Sequence, residues 1–73
     1  MSEHLPKWLA RKIRCNAAYI ARSGISSKAV VNKYNEAYGK YTEAIMDCNG
    51  TATEHYVDKE AYRLVAAMRG IRI

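Results

Sequence analysis

The segment Lys7–Arg22, KWLARKIRCNAAYIAR, constrains the fold of this chain more than any other because, wound as a helix, it has two opposed faces. Apolar residues recur at intervals of three and four along it, with Leu5 one turn earlier. These apolar positions are Leu9, Ile13, Ala17 and Ile20. The opposite side of the helical wheel carries Lys7, Arg11, Arg14 and Arg22, and the border between the two faces carries Trp8, Cys15 and Tyr19. The pattern predicts a helix that packs through its apolar stripe and exposes a cationic strip with an aromatic edge.

Two more amphipathic segments follow. The second helix is predicted to begin with Ser26 or Ser27 as its N-cap and to stop at Asn49-Gly50. Its inward stripe is Val30, Tyr34, Ala37, Tyr41, Ala44 and Cys48, widened by Val31, Tyr38 and Ile45. The third helix is predicted over residues 59–69, after Asp58 as its N-cap and before a stop at Gly70. Its inward stripe is Ala61, Leu64, Val65 and Met68, with Val57 just before it.

These segments predict an all-α fold, a small three-helix domain that spans residues 1–73. The segment before the third helix is less regular, and residues 55–57 read as a short extended piece. Residues 71–73 alternate in polarity. They are expected either to pair with residues 55–57 as two short strands or to pack back on the bundle as an apolar tail.

Positive charge is concentrated near the start of the chain. The formal net charge is +5, and residues 1–24 hold five Lys/Arg against one acidic residue. A localised basic strip indicates an anionic partner, either nucleic acid or an acidic protein surface. The alternative is a solvated helix face that only keeps the protein soluble. The residues that the pattern nominates for partner binding are Lys7, Trp8, Arg11, Lys12, Arg14 and Arg22. For Trp8 the alternative is a core residue that closes the end of the bundle.

Residues 19–34 offer a second hypothesis, a helix-turn-helix that binds DNA. A helix end, a turn at Gly24 and a new helix follow one another in the order typical of that motif. Ile20 stands where the motif has a small residue, and Lys33 stands at a position that is usually apolar. Under this hypothesis the residues that contact DNA are Ser26, Ser27, Lys28 and Lys33.

Catalytic and metal-binding patterns are not found. His4, Cys15, Cys48 and His55 have no spacing typical of metal ligands, and no phosphate loop or paired-carboxylate arrangement occurs. We therefore expect a non-enzymatic protein without cofactor or metal. No apolar segment reaches the ~20 residues that span a bilayer, and no signal peptide is recognisable, so a cytoplasmic location and reduced cysteines are expected.

The N-terminal sequence HLPKWLARKIRCNAAYIAR, in a chain of this size, resembles small phage-encoded transcription regulators and antiterminators that bind host RNA polymerase. The resemblance implies an accessory protein of the host cytoplasm. Such a protein docks on the large subunits of bacterial RNA polymerase and alters initiation, termination or both by occlusion. It also implies that the cationic strip lies near nascent RNA or an acidic polymerase surface. The sequence does not specify the oligomeric state, and a monomer is the favoured one. A structural or toxin-inhibiting partner protein remains the third hypothesis.

Overall fold

The computed structural model describes residues 6–48 and 50–73 and forms three α-helices over that part of the chain. They are α1 (Lys7–Arg22), α2 (Ser27–Met46) and α3 (Ala52–Met68). The all-α prediction is confirmed. The two-stranded piece does not form, since residues 55–57 lie inside α3 and residues 71–73 follow it without regular structure. Leu5, His4 and Asn49, which entered the predictions above, lie outside the described residues. Across the described ranges, no helix is both long and apolar enough to cross a membrane.

The third helix is the centre of the fold. Both α1 and α2 pack against α3, whereas no Cα atom of α1 lies within 8 Å of a Cα atom of α2. One cluster of buried residues joins Leu9 and Ile13 of α1 to Val57 of α3. The other cluster joins the end of α1 and the start of α2 to the second half of α3, and its buried members are Ala17, Val30, Ala61, Val65 and Ala66. The pairing of these positions makes α1 run in the same direction as α3, and α2 in the opposite direction.

The first helix follows its prediction closely. Leu9, Ile13 and Ala17 are buried, and Ile20 packs against the second cluster. The helix ends where Ser23 donates its backbone N–H to the carbonyls of Tyr19 and Ile20. Gly24 then adopts a φ of 72°, a left-handed conformation in which glycine has no steric cost.

The second helix begins as predicted and ends early. The Ser26 hydroxyl accepts a hydrogen bond from the Ala29 N–H at 3.1 Å, so Ser26 is the N-cap, as predicted. The helix continues unbroken through Gly39. It ends at Met46, and Cys48 is exposed with a φ of 53°. The assignment of Cys48 to the inward stripe is therefore wrong, and so is that of Tyr38 and Ile45, which are 50% and 48% exposed. Ala44 is the last buried residue of α2, so no core contact extends the helix beyond that turn.

The third helix is almost two turns longer than predicted, because it starts at Ala52. Asp58 is therefore not an N-cap but an exposed residue within the helix. The assignment of Met68 to the buried stripe is also wrong, since its side chain is 61% exposed.

Gly70 ends α3 as predicted. Gly70 N–H donates to Ala67 O at 3.1 Å and Ile71 N–H to Ala66 O at 2.8 Å, which is the Schellman arrangement. Ile71 then packs on the second cluster, as the apolar-tail alternative predicted.

Candidate docking surface

The outer face of α1 carries the whole net charge of the protein. Lys/Arg residues number 12 and Asp/Glu residues seven in the chain. The sequence of α1 contains five of the cations and no acidic residue, so the seven cations elsewhere are balanced by the seven acids. All five side chains are exposed, and none forms an ion pair within residues 6–48 and 50–73. They are Lys7, Arg11, Lys12, Arg14 and Arg22. We call this set the α1 cationic surface.

The helix places Lys7, Arg11 and Arg14 on successive turns, and Arg22 follows two turns after Arg14. Arg11 lies four residues after Lys7 and three before Arg14, and such residues are neighbours on a helix surface. Lys7 and Arg22 are separated by about 22 Å of helix axis, since an α-helix rises about 1.5 Å per residue. Because the opposite face of the same helix is buried against α3, the cations are held on a supported backbone and point away from the core.

Two aromatic side chains border the α1 cationic surface. Trp8 is 60% exposed and Tyr19 is 78% exposed. They follow a helical row with Lys12 and Cys15, both also exposed, at spacings of four, three and four residues. The alternative interpretation of Trp8 as a core residue that closes the bundle is therefore wrong. An exposed Trp beside arginines has the composition typical of the anchors of protein interfaces.

Three of the four residues nominated for DNA contact, Ser26, Ser27 and Lys33, have partners within the protein. Ser26 caps α2, as described above, and Ser27 Oγ accepts a hydrogen bond from Arg69 at 3.4 Å. Lys28 is exposed, and Lys33 Nζ lies 3.8 Å from Glu36 Oε1. In a helix-turn-helix the two helices form one compact unit. Here no Cα atom of α1 lies within 8 Å of one of α2, and the two helices meet only in the buried cluster that they share with α3.

A buried lysine is the main feature that the sequence patterns missed. Lys59 is 8% exposed, and its Nζ lies 2.6 Å from Glu60 Oε2. Its ammonium also lies over three tyrosine rings from α2 and α3, at 4.7 Å from the centroid of Tyr56, 5.2 Å from Tyr41 and 5.7 Å from Tyr38. The spacing of Tyr34, Tyr38 and Tyr41 along α2 predicts only an apolar stripe. Two of these rings, Tyr38 and Tyr41, lie with Tyr56 around a cation that comes from α3, and no sequence pattern identifies that cation.

Titratable side chains of α2 and α3 meet in a pocket lined by Lys33, Glu36, Lys40, His55, Asp58 and Tyr62. No group of three or more His, Cys, Asp or Glu side chains in the part of the chain that the structure describes is arranged to hold a metal ion. Cys15 and Cys48 are both free thiols on the surface. The exposed cations and aromatic side chains of α1 form a surface that can bind a partner through charge and aromatic contact.

No protein-family model, curated protein or solved structure matches this chain.

Proposed function

We propose that this protein is a non-enzymatic transcription regulator that docks through α1 on an acidic surface of bacterial RNA polymerase. One observation supports the docking more than any other: the net charge of the protein is concentrated, unpaired and exposed, on a single helix. Such a surface attracts an acidic partner and orients the encounter with it. The identity of the partner comes from the resemblance of the N-terminal sequence to phage-encoded regulators of the polymerase.

Trp8 supplies the second element of the docking. Its exposed ring lies one residue after Lys7 and one helical turn before Arg11 and Lys12, so a cation and a large apolar surface reach the partner together. Interfaces bind most strongly where Trp, Tyr or Arg side chains fill pockets that exclude water. The body formed by α2 and α3 then covers the polymerase surface around the contact. Regulation follows by occlusion, when the covered surface is one that an initiation factor or an RNA hairpin requires.

The test is binding of the protein to purified bacterial RNA polymerase in the absence of nucleic acid, measured by biolayer interferometry at 150 mM NaCl. Trp8→Ala and Arg11→Glu each remove a contact from the exposed face of α1 without touching its buried face. We expect each to raise the Kd at least tenfold, which corresponds to about 1.4 kcal/mol or more. Arg72→Glu is the matched control, because Arg72 is an exposed cation outside α1. It makes the same charge change as Arg11→Glu and is expected to alter the Kd by less than threefold.

Two results would contradict the proposal. One is the absence of a complex with the polymerase. The other is an equal loss of affinity in Arg11→Glu and Arg72→Glu, which would indicate a general effect of charge. Specific binding of duplex DNA that depends on Ser27 and Lys28 would support the helix-turn-helix hypothesis in its place. Transcription in vitro with the same variants then separates effects on initiation from effects on termination.

A further inference from the structure

An apolar groove runs between α1 and α3, beside the α1 cationic surface. Its volume is about 310 Å³. The apolar side chains that line it are Ala10, Ile13, Leu64 and Ala67. The remaining two lining residues are Glu60 and Arg63. This volume is at the lower end of the roughly 300–1,000 Å³ found for ligand pockets, so it suits individual apolar side chains better than a large ligand.

Cations stand on both rims of this groove. On α1, Lys7 and Arg14 lie three residues before and four residues after Ala10, which makes them its neighbours on the helix surface. Both are exposed and have no ion pair with a described residue. On α3, Arg63 has a side chain that is 62% exposed.

The one carboxylate that lines the groove is already neutralised. Glu60 lies 2.6 Å from Lys59 Nζ through one oxygen and 3.4 Å from Arg63 through the other, and its side chain is only 17% exposed. Its charge is therefore satisfied within α3 and does not oppose an incoming anion. The groove has an apolar floor and a net positive border.

We propose that this groove binds the apolar side chains of an acidic amphipathic segment of the partner, with the carboxylates of that segment on the two cationic rims. The inference rests on the proposed function in one respect, that α1 faces a protein partner, and it names the chemistry of the partner's contacting segment. Apolar side chains gain about 25 cal/mol for each Å² that the groove removes from water. Charge complementarity selects acidic flanks over neutral or basic ones. Ala10 and Ala67 have small side chains, so a helix can approach the groove closely, as in other complexes in which a groove holds a helix.

The test uses the full-length protein, labelled with 15N, and a designed helical peptide with leucines on one face and glutamates on the other. At 150 mM NaCl we expect saturable shifts of the backbone amides of Ala10, Ile13, Leu64 and Ala67. A matched peptide with serines in place of the leucines should not saturate. In Ala67→Glu, a carboxylate on the wall of the groove should raise the Kd for the leucine peptide at least tenfold. Ala67 is exposed, so this change does not enter the core.

Thr42→Glu is the matched control, since Thr42 is an exposed residue of α2 and the variant has the same change in net charge. We expect its Kd to stay within twofold of the parent protein. Equal weakening in both variants, equal binding of the serine peptide, or shifts that avoid the groove would each overturn the inference.

The groove and the proposed function can fail separately. If polymerase binding is lost in Arg11→Glu but retained in Ala67→Glu, the proposed function stands and the groove inference is overturned. If the leucine peptide binds in the groove and no polymerase complex forms, the groove inference stands and the proposed partner is wrong.

Discussion

Lys59 lies where lysine is rarely found, almost fully buried between two helices. A buried charge is tolerated only when it is paired and its donors are satisfied. Glu60 supplies the opposite charge at 2.6 Å, and the rings of Tyr38, Tyr41 and Tyr56 present their negative faces within 6 Å of the ammonium. Because Tyr38 and Tyr41 belong to α2 while Lys59 belongs to α3, the lysine connects the two helices through its charge.

Replacing Lys59 with Met should destabilise the protein more than any surface charge change. Met keeps most of the aliphatic volume, so the variant removes the charge and little packing. Glu60 would then be left mostly buried with a single partner, Arg63 at 3.4 Å. Removing one member of a buried ion pair costs about 3–5 kcal/mol. Because Glu60 is 17% exposed and keeps Arg63 as a partner, we expect the free energy of unfolding, measured with urea, to fall by an amount near the lower end of that range, about 3 kcal/mol.

Two further variants separate the buried charge from general loss of an ion pair. Arg63→Met removes a cation that is mostly exposed and should cost under about 1 kcal/mol. The double variant Lys59→Met with Glu60→Gln should recover part of the loss, because it no longer leaves a charge without its partner. A cost below about 0.5 kcal/mol for Lys59→Met alone would contradict this account.

At the scale of the helices, the C-terminal ends of α2 and α3 differ in the residue that adopts the left-handed backbone conformation. After α3, Gly70 occupies the left-handed position with a φ of 73°. After α2, Cys48 occupies a comparable position with a φ of 53°. A side chain in this conformation places its Cβ close to the following carbonyl, whereas glycine does not. The end of α2 is therefore built with a residue that its backbone conformation does not favour.

Substitutions at Cys48 and Gly70 should change the free energy of unfolding in opposite directions. Cys48→Gly should raise the free energy of unfolding by about 1 kcal/mol, and Gly70→Ala should lower it by about 1–2 kcal/mol. No atom lies within 4 Å of a Cβ built at Gly70, so the cost there comes from the backbone alone. Urea unfolding followed by circular dichroism measures both. A destabilising Cys48→Gly would show that the thiol makes a contact that outweighs the backbone conformation.

The helices also show why some elements are predictable from sequence and others are not. α1 was predictable because its buried and exposed residues differ sharply in type, so the 3.6-residue period is visible. The first two turns of α3 were not, because Val57 is their one buried aliphatic residue and the next buried position is a lysine. Tyr56 of that segment packs on Tyr41 with ring centroids 5.6 Å apart. This contact between distant parts of the chain stabilises a helix that local preference does not reveal.

The same reasoning applies to the candidate surface. The helical wheel of α1 predicts that Arg11 and Arg14 are exposed, because charged residues opposite an apolar stripe face solvent. The exposure of Trp8 did not follow, because a Trp on the border of the stripe fits either a core or an interface. The groove at Ala10 and Ala67 was not predictable either, since it depends on how α1 and α3 pack.

At the scale of the whole molecule, the net positive charge lies on α1, and the other two helices, α2 and α3, belong to a part of the chain without net charge. The residues outside α1 have balanced formal charges, and the core consists mainly of Ala and Val side chains from three helices. A small core of this kind leaves little stability in reserve. Within α1, Lys7 and Arg11 are like charges at i and i+4, and Arg11 and Arg14 are like charges at i and i+3. Such pairs each destabilise a helix by about 0.2–0.5 kcal/mol.

This arrangement predicts that salt stabilises the protein. Raising NaCl from 10 mM to 1 M shortens the Debye length from about 30 Å to about 3 Å and so screens the repulsion among the α1 cations. We expect the free energy of unfolding to rise by about 0.5–1 kcal/mol over this range, from the sum of the neighbouring pairs. Arg11→Gln breaks both pairs at once, so it should stabilise the protein at 10 mM NaCl and reduce the salt dependence. Arg72→Gln has the same charge change outside α1 and should leave the salt dependence nearly unchanged. A stability that falls with salt, or equal salt dependence in the two variants, would mean that the surface ion pairs outweigh the repulsion along α1.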